Sequence, residues 1–351
     1  MQTHIPVAVL GATGSVGQRF ISLLNDHPYF KVVALTASDR SIGKKYKDGC
    51  RWLLAESMPD WAGNMVLTPS DKSGLNGAVI AFSALPASEA NTIEPELASQ
   101  GIVLCSNASS FRRDEDVPLL LPEVNADHIG LIPLQRKNRN WRGAILTNPN
   151  CTSTGLTVAL KALDDAFGVE KIFAVSMQAL SGAGYPGIPS LDVIDNVIPN
   201  IGGEEEKVEW EPTKMLGKFN PSGIQLAPIK ISAHTNRVAV VDGHTVCASV
   251  SLLSKPSVQD VQHILASYKG PQIAQNLPSS PNPVILVRNE ADRPQPKLDR
   301  QTGKGMTTVV GRIREDNLFN IKFVVLSHNT IRGAAGGSIF NAELVISQGL
   351  L

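Results

Sequence analysis

Short apolar runs alternate with amphipathic stretches through the first 150 residues, and this alternation is the strongest structural signal in the chain. Residues 6–10 predict a strand, 11–17 a glycine turn, and 15–25 a helix with Val16, Phe20, Leu23 and Leu24 on one side. Apolar strands follow at 32–36, 78–82, 102–104 and 144–147, with a helix over 88–100 that stops at Gly101. Strands apolar at nearly every position and separated by helices predict a parallel, doubly wound sheet. After residue 151 the texture changes. Residues 152–167 predict a helix, and the longer alternating spans 171–180, 237–252 and 317–326 fit an antiparallel or mixed sheet covered by helices on one face. Residues 190–211 read as partly helical, and 278–304 as a Pro-rich polar excursion. A terminal helix over 341–347 follows IRGAAGG and is expected to return to the first domain. The expected division is 1–150, 151–328 and 329–351.

Composition narrows the class. The chain has 351 residues, 42% hydrophobic and 18% charged, enough for two packed cores and against disorder. Its 32 basic and 32 acidic residues give a net charge of +0, so neither nucleic acid nor an anionic membrane is an expected partner. No apolar run nears the roughly 18 residues of a membrane span. The opening MQTHIPVAVLGATG has no basic leader and reads as a first strand, not a signal peptide. Cys50, Cys105, Cys151 and Cys247 are far apart and form no CxxC pair, so neither disulfides nor a metal site is expected and a cytoplasmic setting fits.

GATGSVG places glycines at 11, 14 and 17 between a strand and a helix. It is either a plain strand-to-helix turn or the phosphate-binding turn of a Rossmann-type domain, where backbone amides and the helix N-terminus hold a pyrophosphate. The end of the second strand reads TASDRS. Ser38, Arg40 and Ser41 suit a 2′-phosphate and hence NADP, whereas Asp39 would suit the ribose hydroxyls of NAD.

TNPNCTSTG sets Cys151 where a strand meets a helix, with Asn150 and Thr152 as capping groups. The helix dipole at that point is expected to lower the thiol pKa, and backbone amides there could hold an oxyanion. A buried structural cysteine is the alternative, but Asn-Pro-Asn and Thr-Ser-Thr are poor apolar company. Cys50, Cys105 and Cys247 lack such a setting and read as structural. A thiol nucleophile beside a dinucleotide domain suggests a thioester path with hydride transfer. RVAVVDGH would supply a clamp, Arg237, and an acid/base, His244, if a bulge at Gly243 brought both to one face of a strand. Gln178 precedes the glycine-rich SGAG, whose Gly182 permits close approach of a cofactor. Arg112 ends NASSFR, a natural place for a phosphate-binding arginine, and EEEK (Glu204 to Lys207) is either a substrate clamp or a solvated helix face.

The blocks GATGSVGQRF, SDRSIGKKY, NASSFR, TNPNCTSTG, SGAGYPG, GGEEEK, RVAVVDGH and HNTIRGAAGG run in order from Gly11 to Gly337. In that order they resemble the aspartate-semialdehyde dehydrogenases, specifically the fungal and archaeal branch. The resemblance implies reductive dephosphorylation of L-4-aspartyl phosphate by NADPH in the biosynthesis of threonine, methionine and isoleucine. It casts Cys151 as nucleophile, His244 as acid/base and Gln178 as a positioning group. Arg237 would meet the α-carboxylate, and Glu204, or a neighbouring glutamate, the amine. Arg112 and Lys207 would meet the phosphate, with Asn150 also at the substrate. The cofactor would touch Gly11, Thr13, Gly14, Ser15 and Val16, then Ser38, Arg40 and Ser41, with Ser83, Gly182 and Asn329 nearer the nicotinamide. A homodimer or homotetramer built through the second domain's sheet is implied as well. The competing readings are a malonyl-CoA reductase on the same scaffold and a catalytically silent NADP-binding sensor.

Overall fold

The computed structural model describes residues 4–351; positions 1–3 of the expected first domain lie outside the described residues. The first sheet is parallel, with β1 (Ile5–Leu10), β2 (Phe30–Leu35), β3 (Ile80–Ser83), β4 (Val103–Ser106) and β5 (Ala144–Thr147) in the order β2-β1-β3-β4-β5. Every residue of β3, β4 and β5 is buried, because helices cover both faces. Alternate residues of β1 divide between two cores. Val7 and Val9 pack with Phe20, Phe340 and Leu344, whereas Ala8 and Leu10 pack with Leu97 and Ala98. The helix Gly336–Ser347 therefore lies in the first sheet's core, buried from Gly336 through Val345.

The second sheet is mixed. Its strands are β6 (Val169–Gln178), β9 (Lys230–Arg237), β10 (His244–Leu252), β11 (Ile285–Arg288), β12 (Thr308–Glu315) and β13 (Ile321–Ser327). They run in the order β11-β12-β13-β10-β6-β9, and β7 (Lys218–Asn220) and β8 (Gly223–Gln225) form a separate ribbon. The alternating burial along β6 shows that helices cover one face only. On that face Ile172, Ala174, Val246 and Phe323 pack against Leu156, Leu160 and Leu163 of the helix Cys151–Phe167. Phe173 and Cys247 are exposed on the other face, so Cys247, read as structural, takes no part in this core. The 278–304 excursion contributes β11, which pairs in parallel with β12.

One expected element is two. Residues 237–252 do not form a single bulged strand: β9 ends at Arg237 and β10 begins at His244, with a turn between them that includes Gly243 at φ +100°. β6 lies between the two strands in the sheet. Arg237 pairs with Gln178 at the end of β6, and Thr245, next to His244, pairs with Met177. Three strand ends thus bring Gln178, Arg237 and His244 together without any bulge. Among the described residues no helix is long and apolar enough to cross a membrane.

Candidate active site

The carboxyl ends of the parallel strands open on a cleft of about 810 Å³, the place where doubly wound sheets bind ligands. Its floor near β1 is the glycine turn. Gly11 has φ +68°, and a Cβ on Gly17 would fall 2.3 Å from the Gly11 carbonyl oxygen, so the turn closes only with glycine at both places. The helix Ser15–Leu23 that follows has no capping side chain, and Thr13, Gly14, Ser15 and Val16 line the cleft. Free amides at a helix N-terminus fit an anion such as a pyrophosphate.

At the other end of the cleft β5 gives way to the helix Cys151–Phe167. Asn150 caps it, its Oδ1 accepting from the amides of Thr152 at 2.9 Å and Ser153 at 3.2 Å. Cys151 opens the helix and lies with its Sγ 3.1 Å from His244 Nε2. The backbone amide of Ala179 donates to His244 Nδ1 at 3.0 Å. An amide can only donate, so Nδ1 accepts, and the neutral ring carries its proton on Nε2, facing the sulfur.

The electrostatics correct the expectation of an acidified thiol. Burial, reinforced by the charge of Glu204, pushes the Cys151 thiol up to about 12, against the pull of Arg112 and Arg237. Burial also drives His244 down to about 3, with Arg237 and His328 adding to the effect. The ligand-free pair is a neutral thiol beside a neutral imidazole. The helix dipole, whose effect is about 0.3–1 kcal/mol at exposed positions, does not outweigh desolvation here.

The side of the cleft nearest Cys151 is built from charged pairs. Glu204 Oε1 accepts from Lys207 Nζ at 2.8 Å, and its Oε2 accepts from Asn150 Nδ2 at 2.8 Å and Gln178 Nε2 at 3.3 Å. Burial raises the Glu204 pKa, but Lys207, Asn150 and Gln178 outweigh it and hold the carboxyl below its ordinary value. Glu205 accepts from the Thr235 amide at 3.1 Å, and Glu206 is exposed, so of the three glutamates only Glu204 faces the cleft. Arg112 is buried in the cleft wall, whereas Arg113 lies over the Trp210 ring. Arg237 donates to the Ala179 carbonyl at 2.7 Å and has no ion-pair partner among the described residues, which leaves its charge for a ligand.

The remaining candidates divide. Gly182 packs against Arg237 and His244, and Asn329 ties Ser181 Oγ (2.7 Å) to the Gly243 amide (2.8 Å), which steadies the turn before His244. Ser38 and Arg40 are exposed and Ser41 half-buried, all beyond β2 and outside the cleft wall. Ser83 is fully buried behind that wall, its carbonyl accepting from Asn107 Nδ2 at 3.2 Å. Cys50, read as structural, accepts from Gln18 Nε2 at 3.4 Å and also lines the cleft. Two residues escaped the sequence reading. Glu211 binds Arg112 and the Asn150 amide; its signal is the run of charges at 204, 207, 211 and 214, which share a helix face. Tyr185 accepts from Arg51 Nη1 at 2.7 Å across the cleft, and no local pattern marks that contact.

Residues 6–132 match the semialdehyde dehydrogenase NAD binding domain, and residues 160–332 the semialdehyde dehydrogenase dimerisation domain. Aspartate-semialdehyde dehydrogenase from Archaeoglobus fulgidus is 52% identical over 345 residues, covering 98% of this chain and 99% of the relative. The Schizosaccharomyces pombe protein of the same name is 47% identical over 352 residues, covering 98% of this chain and 99% of its own. The crystal structure of the Candida albicans enzyme with NADP superposes with a TM-score of 0.91 at 39% identity, over 99% of this chain and 100% of that one.

Proposed function

The chain belongs to the aspartate-semialdehyde dehydrogenase family, and on that premise we propose that it converts L-4-aspartyl phosphate to L-aspartate 4-semialdehyde, reversibly, through an acyl thioester on Cys151. The observation that carries this reading is the Cys151 sulfur 3.1 Å from His244 Nε2, at the junction of the glycine-turn cleft and the charged substrate pocket. Cys151 Sγ forms a bond to the acyl carbon as the carbon–oxygen bond to phosphate breaks. The leaving phosphate takes the bonding pair, and the thiol proton balances it, since Nε2 already holds one. NADPH, when bound, supplies a hydride to the thioester carbon. His244 holds the oxygen there through its Nε2 hydrogen; as the carbonyl re-forms the C–S bond breaks, the sulfur takes the bonding pair and the Nε2 proton, and a proton from solvent replaces it on the ring.

The other residues divide the substrate between them. Arg237 takes the α-carboxylate, Glu204 the ammonium, and Arg112 with Lys207 the phosphate, while Gln178 and Asn150 hold the reacting group. For the cofactor, Gly11 and the uncapped turn at Thr13, Gly14, Ser15 and Val16 fit the pyrophosphate, and Ser38, Arg40 and Ser41 the 2′-phosphate. Gly182 and Asn329 border the nicotinamide end, with Ser83 behind it. Residues 1–150 form the cofactor domain in this reading, 151–328 the catalytic and dimerisation domain, and 329–351 a segment returning to the first. The exposed sheet face bearing Phe173 supports a homo-oligomer, dimer or tetramer, and the setting is cytoplasmic.

The test is NADPH formation from aspartate semialdehyde, NADP and phosphate, comparing wild type with Cys151→Ser. The expected result is phosphate-dependent turnover that falls by at least about a thousand-fold in the variant. A variant that keeps its rate overturns the thioester route. A wild type that reduces malonyl-CoA and ignores the semialdehyde overturns the substrate.

A further inference from the structure

We propose that Glu211 is a positioning residue that ties the phosphate-holding guanidinium of Arg112 to the turn that carries the nucleophile. The proposal rests on the reading of Arg112 as a phosphate ligand.

The helix Glu204–Met215 presents Glu204, Lys207, Glu211 and Lys214 at spacings of three, four and three, which stacks them on one face with alternating sign. The first two line the cleft, but Glu211 and Lys214 do not. Lys214 Nζ donates to the carbonyls of Arg112, Asp114 and Val117 at 2.9, 2.7 and 2.8 Å, which fixes the loop after β4. Glu211 is 1% exposed and uses both oxygens. Oε1 accepts from Arg112 Nη1 at 2.8 Å, and Oε2 accepts from the Asn150 amide at 2.6 Å. One carboxylate therefore joins the loop after β4 to the turn after β5, immediately before Cys151.

Arg112 shows what this joint is for. Its Nη2 donates to the Asn107 carbonyl at 2.9 Å, and Nη1 is held by Glu211. Its Nε is buried with no partner among the described residues. A guanidinium clamped at two nitrogens and only 8% exposed is held in one orientation in the wall of the cleft it lines. A buried ion pair is a weak source of stability, and apolar residues often replace one without loss. Orientation is what the pair supplies here, because the same carboxylate also accepts from Asn150. Glutamine cannot substitute, since both groups facing position 211 are donors and its amide nitrogen would confront one of them.

The test uses the full-length enzyme, with kcat and the KM values for phosphate and NADP measured for wild type, Glu211→Gln, Glu211→Asp and Arg112→Met. The expected result is a phosphate KM raised about tenfold or more and a lower kcat in Glu211→Gln, the scale on which groups that orient a ligand-binding side chain act. The KM for NADP stays within about twofold, and Glu211→Asp, which keeps both oxygens, recovers part of the loss. If Glu211→Gln fails to fold, Glu211→Asp decides by the same contrast between phosphate and NADP. Equal rises in both KM values, or wild-type kinetics in Glu211→Gln while Arg112→Met loses phosphate affinity, overturn the proposal and leave the function standing. An unchanged phosphate KM in Arg112→Met overturns the phosphate reading of Arg112, and this proposal with it.

Discussion

Replacing Gly182 with alanine adds one carbon beside the reacting pair and changes nothing else. The residue lies in the short turn Leu180–Ala183 with a backbone that alanine adopts without strain. The new Cβ would fall 2.8 Å from Arg237 Nη1 and 3.1 Å from both Cε1 and Nε2 of His244. Ordinary contacts of this kind sit near 3.5 Å, so the guanidinium must retreat by more than half an ångström, roughly, and the ring by a few tenths. The guanidinium is the free end of a long side chain, and its retreat lengthens the 2.7 Å bond to the Ala179 carbonyl without disturbing the core. The stability cost is therefore at the low end of overpacking, about 1 kcal/mol, a Tm decrease of about 2–4 °C. The rate bears the larger loss, because misplacing a reacting or clamping group by about 1 Å costs about 100-fold. The assay is kcat/KM for aspartate semialdehyde at saturating phosphate and NADP, read beside a thermal melt. A drop of about 30- to 100-fold with a nearly unchanged melt is expected. Wild-type kcat/KM would refute the argument, as would a collapse of the melt in step with the rate.

Two further outcomes follow from buried ionisable groups. With Cys151 pushed up to about 12, its thiolate fraction in the ligand-free enzyme grows about tenfold per pH unit. Alkylation by iodoacetamide, corrected with Cys151→Ser, should rise through about pH 9 without levelling, and a plateau between about pH 6 and 8 would show the thiol acidified after all. Glu94 is buried beneath the parallel sheet, and burial carries its pKa to about 7 against the pull of the nearby Ser83 hydroxyl and of Ser106 Oγ, which donates to Oε1 at 2.7 Å. Between pH 4.5 and about 7 the native state then holds the extra proton, so stability falls as pH rises, by about 1.4 kcal/mol per unit and roughly 3 kcal/mol in all. Glu94→Gln should remove that slope, so its Tm relative to wild type climbs from about pH 5 to pH 7; parallel profiles would count against it.

The layers and much of the chemistry were legible in short stretches of the chain. Uniformly apolar short strands such as AILT can only lie inside a sheet covered on both faces, and the alternation along β6 can only lie on one covered on a single face. Local spacing was enough to place a glycine turn after β1, Cys151 at a helix start and Glu204 with Lys207 three residues apart.

What depends on residues distant in the chain emerges only when the strands are assembled. Gln178, Arg237 and His244 meet because β6 is inserted between β9 and β10, a strand order that no local pattern in RVAVVDGH contains. The proton on His244 Nε2 is set by the amide of Ala179, 65 residues away. The same separation hid Glu211, whose partners lie 99 and 61 residues upstream. Desolvation governs the thiol, and it is a property of everything packed around the sulfur. A helix N-terminus can be read from nine letters, but the dielectric surrounding it cannot.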